Sequence, residues 1–161
     1  MKAAAIIVLI LCLLAAVGVG YLYFTTHLTV TVRDCVATDA MTQTELFDRL
    51  KKQMEEGTLI GTPFTTDIPE SPEACQFYSW TLRLENRTFL TADVIEIQIT
   101  PVEGDVLQIG ETAPYRLPAR QSMDLSATIL TRKDLHNVRE ITVTYYMWGL
   151  PFTEKLSSRQ I

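Results

Sequence analysis

The chain opens with an apolar run that differs from everything after it. From Ala3 to Phe24 it has 22 residues without a charge, preceded by Lys2 and closing on Tyr21-Leu22-Tyr23-Phe24. A helix of this length covers roughly 33 Å, enough to cross a hydrocarbon core of about 30 Å. The pattern therefore predicts a transmembrane helix through residues 3–24, within an N-terminal segment of residues 1–26.

The N-terminal run could also be a cleaved signal peptide. Small residues near Gly18 and Gly20 offer weak cleavage sites, but the apolar run continues past them into interfacial tyrosines, which favours an uncleaved signal anchor. Lys2 precedes the span, whereas Arg33 after it is neighboured by Asp34. This bias predicts a cytoplasmic N-terminus and an extracytoplasmic domain of residues 27–161, held at the plasma membrane.

After the run, the pattern changes to alternation with period two, interrupted by one helical segment. Half-buried strands are predicted near residues 28–32, 78–85, 94–99, 122–129 and 141–148, with shorter pieces between and after them. Thr42 and Glu45 form a capping box before an amphipathic helix near 42–57, whose stripe is Leu46, Phe47, Leu50 and Met54. Seven or eight short strands at this spacing predict an antiparallel β-sandwich with one helix.

The stretch from Trp80 to Trp148 resembles small immunoglobulin-like sandwiches of bacterial cell-envelope proteins, of the FxLYD type and the water-stress and hypersensitive-response type. The resembling features are the strand end at 84–88, the strand with Ile95, Ile97 and Ile99, and the segment 117–122 that leads into the next strand. The Phe-x-Leu-Tyr-Asp motif itself is missing, and the helix is an addition. The resemblance implies an extracytoplasmic binding or scaffolding module and brings no catalytic residues.

Charge and motifs narrow the function classes. Beyond residue 24 the chain carries 13 basic and 19 acidic side chains, a net charge of −6, so nucleic acid and anionic lipid head groups are poor candidate partners. No phosphate loop, dinucleotide fingerprint or nucleophile elbow is present, and no cofactor is predicted. His27 and His136 are the only histidines, too few for a metal site without further ligands. Asn86-Arg87-Thr88 fits the glycosylation sequon.

Two sets of residues are predicted to matter outside the membrane. Cys35 and Cys75 are the only cysteines there, and an extracytoplasmic pair in a small domain predicts a disulfide, here closing a loop of 41 residues. In the last long strand the outward face becomes apolar at Tyr146 and Trp148, close to Phe152. These rings either pack under the protein's own helix or form a surface for a protein partner.

The favoured function is a single-pass, membrane-anchored, non-catalytic binding or assembly module of the cell envelope. The alternatives are an envelope enzyme whose site has no linear motif, and a secreted soluble β-sandwich released by signal cleavage. A pocket with converging titratable groups would favour the enzyme, and an exposed apolar patch would favour the binding module.

Overall fold

A computed structural model describes residues 2–111, 113–133, 135–136 and 138–158; within the first helix it describes the side chains of residues 6–21. The helices are α1 (Lys2–Thr25) and α2 (Thr44–Glu55). The strands are β1 (Thr29–Asp39), β2 (Gly61–Pro63), β3 (Cys75–Glu85), β4 (Ala92–Ile99), β5 (Asp105–Ile109), β6 (Tyr115–Leu117), β7 (Ser122–Arg132), β8 (Glu140–Met147) and β9 (Leu150–Ser157).

In the described residues the strands form two antiparallel sheets. One has five strands in the order β1-β3-β7-β5-β2, and the other has four in the order β6-β4-β8-β9. Alternating residues of both sheets meet in one core, as Trp80 and Leu82 of β3 and Ile141 and Val143 of β8 illustrate, each fully buried. The prediction of a mainly β, two-sheet antiparallel fold is confirmed, because one face of each strand had to be apolar to build this core.

Helix α1 precedes the sandwich. From Ile6 to Val19 its large aliphatic side chains are between 51% and 65% exposed. Consecutive residues in this stretch point in all directions around the helix, so the exposed apolar surface surrounds it. Within the part of the chain whose placement is described, no helix is both long and apolar enough to cross a membrane.

Helix α2 lies on the outer face of the five-stranded sheet. Its buried residues Phe47 and Leu50 form a second cluster with Phe77 of β3 and Leu130 of β7, which point away from the central core. The predicted helix is present, but the predicted capping box of Thr42 and Glu45 does not form. Gln43 occupies the N-cap without a side-chain hydrogen bond, because a short 3-10 turn at Ala40–Gln43 precedes the helix.

The two ends of the sandwich are built differently. The near end, beside the C-terminus of α1, consists of the loops at 86–91 and 118–121 and the turn at 148–149; the registers of β3 with β7 and of β4 with β8 bring these together. The far end holds α2 and the loops at 100–104 and 133–139. Every candidate site discussed below is placed relative to these two ends.

Candidate functional site

One buried asparagine organises the loops of the near end. Asn86 is 1% exposed, and its Nδ2 donates to the carbonyl oxygens of Leu90 at 2.7 Å, Leu117 at 3.2 Å and Pro118 at 3.1 Å. Its Oδ1 accepts from the backbone nitrogen of Thr88 at 3.1 Å and from the Thr88 hydroxyl at 2.7 Å. One buried amide side chain thus joins two loops through five hydrogen bonds, which fixes the shape of this end.

The same contacts decide the fate of the glycosylation sequon. The Nδ2 atom that a glycan would modify is buried and engaged with three carbonyl groups. In the folded protein Asn86 is therefore a structural residue and is not available to a glycosylating enzyme. The sequence marked Asn86 as part of a glycosylation sequon, whereas in the structure its side chain holds two loops together.

Large apolar side chains project from these fixed loops into solvent. Trp148 is 66% exposed, Phe89 is 61% exposed and Leu150 is 45% exposed. Phe89 lies in the loop that Asn86 holds, whereas Trp148 and Leu150 belong to the β8–β9 hairpin. We refer to Phe89, Trp148 and Leu150 as the near-end patch. Exposed aromatic rings on a rigid frame are typical of interaction sites.

Trp148 occupies a backbone conformation that its side chain disfavours. Its φ is 56° and that of Gly149 is 77°, so both central residues of the two-residue turn lie in the left-handed region. Turns of this kind favour asparagine, aspartate or glycine, and a bulky residue there costs about 1 to 2 kcal/mol. A tryptophan that is two-thirds exposed at such a position gains little packing energy in return, which points to a role outside folding.

The near-end patch lies beside the last part of α1. Val19 of the helix and Thr26, the residue after its C-terminal end, line one small cavity of about 20 Å³ together with Leu90, Trp148 and Leu150. The tip of the hairpin therefore lies beside the last two turns of the helix.

The partner surface predicted from sequence is partly wrong. Tyr146 and Trp148 are 39% and 66% exposed, but Phe152 is 7% exposed and belongs to the central core. The ring of Phe152 stacks on that of Tyr145 with centroids 5.6 Å apart, and its edge meets His27 at 5.5 Å. The two-residue turn sets this register, because it pairs Phe152 with Tyr145 and so places both on the inward face.

The alternative that α2 covers these rings is also wrong. The apolar stripe of α2 packs on Phe77, Leu107 and Leu130 at the far end. This leaves the near-end patch without a cover among the described residues.

The predicted disulfide between Cys35 and Cys75 does not form, and the prediction is corrected here. β1 continues to Asp39, so Cys35 lies within it, opposite Trp80 of β3. Cys75 begins β3, five residues before Trp80. At about 3.4 Å per residue the two Cα atoms are roughly 17 Å apart, whereas a disulfide allows about 7 Å. Burial raises the pKa of the Cys75 thiol, which makes it a poor nucleophile.

A buried ion pair at the far end escaped the sequence analysis. The side chains of Arg139 and Asp105 are fully buried and meet through two bonds of 2.8 Å, from Nε to Oδ2 and from Nη2 to Oδ1. The Nη1 atom donates to the carbonyl oxygens of His136 at 2.7 Å and Val138 at 2.9 Å. Both charged groups have partners, so the pair holds Arg139 and the carbonyl groups of His136 and Val138 next to β5. It leaves no unsatisfied group for catalysis.

Two clefts are lined by polar groups of the described residues. One, of about 450 Å³, lies between β4 and β5, where the side chain of Gln108 donates to the carbonyl of Ile97 and accepts from the nitrogen of Ile99. Gln108 thus satisfies two backbone groups of β4. A second cleft, of about 650 Å³ at the far end, is lined by the titratable side chains Glu103, Asp105, Arg132, Lys133 and His136, of which Asp105 is bound by Arg139.

The two histidines lie at opposite ends of the molecule. The Nδ1 atom of His27 is 3.5 Å from Glu154 near α1, whereas His136 is exposed at the far end. Asp134, two residues before His136, lies outside the described residues. Among the residues that the structure describes, no three acidic, histidine or cysteine side chains converge as metal ligands.

Comparison with known proteins adds no relative. No protein-family model matches the chain, and no curated protein has significant sequence similarity to it.

Proposed function

We propose that this protein is a single-pass, membrane-anchored binding or assembly module of the cell envelope without catalytic activity. In this proposal the N-terminus is cytoplasmic and the β-sandwich is extracytoplasmic. The sandwich is of the immunoglobulin-like type, in keeping with the resemblance between Trp80 and Trp148.

The observation that carries the proposal is the uncharged run from Ala3 to Phe24. A run of this length suits a membrane span, and lysine before it suits a cytoplasmic start. The exposure of aliphatic side chains on all sides of α1 supports the same conclusion, because apolar surface around a whole helix is costly in water and favourable in lipid.

The shape of the sandwich supports binding over catalysis. Its two most exposed large apolar side chains, Phe89 and Trp148, both belong to the near-end patch, and its buried charges at Arg139 and Asp105 are fully matched. A module of this kind acts by holding or positioning another component of the envelope, for which an anchor and a rigid domain are sufficient.

Topology mapping tests the anchor. Intact spheroplasts that express the full chain with a C-terminal tag are treated with protease, and the N-terminus of the protein is sequenced. We expect the tag to be digested and the N-terminus to be uncleaved. A protected tag, or a mature protein that begins after Gly18 or Gly20, would contradict the proposal.

Crosslinking in the same cells tests the binding role. We expect the full chain to form specific adducts with an envelope component, and we expect the adducts to require the sandwich as well as the anchor. The control replaces residues 27–161 with an unrelated domain on the same N-terminal segment; identical adducts from both proteins would contradict a binding function of the sandwich.

A further inference from the structure

We propose that the near-end patch rests in the headgroup layer of the same membrane that α1 crosses, so that the sandwich stands on the bilayer with its near end down. The occupant of the patch is the lipid surface. The inference rests on the proposed anchor and adds to it the orientation of the domain and the residues that set it.

The depth of Trp148 relative to α1 carries the argument. Trp148 lines the same cavity as Val19, five residues before the end of the uncharged run at residue 24, and as Thr26, two residues after it. Five helical residues correspond to about 7.5 Å along the axis. If residue 24 marks the boundary of the hydrocarbon, Trp148 lies at the level of that boundary, where amphipathic aromatic side chains settle.

The chemistry of the patch suits that depth. Tryptophan is enriched in the interfacial layer of membranes, and Phe89 and Leu150 extend the apolar surface around Trp148. Lipid also explains why a tryptophan is kept in the left-handed turn at 148–149, since the gain in burial offsets the backbone cost only when a partner is present.

Charge distinguishes the two ends only modestly. Arg87 and Arg120 are exposed on the loops that frame the patch, although Arg87 is also 2.9 Å from Glu85. The far end carries eight acidic side chains, Glu45, Asp48, Glu55, Glu56, Asp67, Glu70, Glu73 and Glu103, among five basic ones, Arg49, Lys51, Lys52, Arg132 and Lys133. Its acidic excess disfavours contact of the far end with an anionic lipid surface.

Depth-dependent fluorescence quenching tests the seating. The full chain is reconstituted into vesicles of equal parts phosphatidylcholine and phosphatidylglycerol, with bromine placed on the acyl chains near the headgroups. Trp148 is one of two tryptophans, and the other, Trp80, is fully buried. We therefore expect bromine to remove roughly half of the tryptophan emission, and we expect Trp148→Phe to abolish that loss.

A relocated tryptophan provides the matched control. Val36 is 49% exposed on β1, seven residues from Thr29 at the near end, or about 24 Å along the strand. In the Trp148→Phe background, Val36→Trp should emit without being quenched. Equal quenching at Val36 and Trp148 would show the sandwich lying flat on the bilayer, and would overturn the end-on seating.

Flotation of the vesicles separates this inference from the anchor. If the protein does not float with lipid, the proposed anchor fails and the seating fails with it. If the protein floats but Trp148 is not quenched, the anchor stands and the seating is overturned. The patch would then be free for a protein partner or a second copy of the chain, which crosslinking at Trp148 would identify.

Discussion

The two ends of the sandwich deal with apolar surface in opposite ways. At the far end, α2 covers Phe77 and Leu130, and the one buried charge pair is completely matched. At the near end, Asn86 fixes the loops just as firmly, yet Phe89 and Trp148 project into solvent. The two ends therefore differ in whether their apolar side chains are covered, and not in how firmly their loops are held. One end is thus buried under the protein's own helix, whereas the other leaves aromatic rings exposed beside α1, which is the kind of surface that our proposals assign to contacts outside the chain.

The largest expected effect lies at the far end. Arg139→Met leaves the buried carboxylate of Asp105 without its partner, so we expect the free energy of unfolding to fall by about 3 to 5 kcal/mol. Chemical denaturation of the full chain in detergent micelles measures this loss.

Arg87→Met is the control, because it removes an arginine that is also paired with a carboxylate but is 77% exposed. Its cost should stay within about 1 kcal/mol. The double variant with Asp105→Leu and Arg139→Met should recover most of the lost stability, since it removes both buried charges. Equal costs at Arg139 and Arg87 would contradict the description of the far end.

At the near end we expect the next largest effect from Asn86→Ala. The change removes five hydrogen bonds, including the donor to the buried carbonyl of Leu117, for a cost of about 2 to 4 kcal/mol. Amide hydrogen exchange should accelerate in residues 86–91 and 118–121 before it does so at the far end. The exposed Gln98 on β4 gives the control, since Gln98→Ala should change stability by less than about 0.5 kcal/mol. Uniform acceleration at both ends would show that Asn86 does not organise the near end specifically.

High pH tests the hydrogen bond between Leu28, in the segment that follows α1, and the core residue Tyr145. Burial raises the pKa of Tyr145 to about 12, and its hydroxyl oxygen accepts from the backbone nitrogen of Leu28 at 3.0 Å. Because the folded state holds this proton more tightly than the unfolded state, its contribution is complete below about pH 10 and is lost as the pH rises towards 12. Stability should then fall by roughly 2 to 3 kcal/mol over that interval.

Tyr145→Phe isolates this contribution from those of the other tyrosines. The variant should be less stable at neutral pH, because the nitrogen of Leu28 loses its acceptor, but its stability should decline less between pH 10 and 12. Parallel pH profiles for the two proteins would rule out Tyr145 as the titrating group.

Sequence reasoning succeeded where one face of a strand is buried. The half-buried strand predicted near 141–148 is β8, whose alternate residues Ile141, Val143, Tyr145 and Met147 are buried. Sequence reasoning failed on β1, because the edge strand beyond Val32 is largely exposed and lacks a regular alternation. Its true length, which separates Cys35 from Cys75, was therefore hidden. The pair of Arg139 and Asp105 is 34 residues apart, a separation that no local pattern marks.

The candidate site was half predictable for a similar reason. Tyr146 and Trp148 break the alternation of β8, which drew attention to them, but Phe89 lies in a polar loop where a single aromatic residue gives little signal. Phe152 could have been assigned to the core from sequence. A two-residue turn at 148–149 pairs it with Tyr145, and paired residues share a face of the sheet.

The smallest expected effect on folding comes from the most prominent side chain. Trp148→Asn replaces a ring that is 66% exposed and gives the left-handed turn an asparagine-glycine sequence, which this geometry favours. We expect no loss of stability and a gain of up to about 1 kcal/mol, measured by denaturation in micelles. Trp80→Ala is the comparison, because the same residue type is fully buried there and its removal should cost about 3 to 5 kcal/mol. If Trp148→Asn instead destabilises the fold as Trp80→Ala does, Trp148 is part of the core and the contrast between the two ends is wrong. If the fold is retained at unchanged or higher stability, Trp148 contributes nothing to folding, and the contrast between the two ends stands.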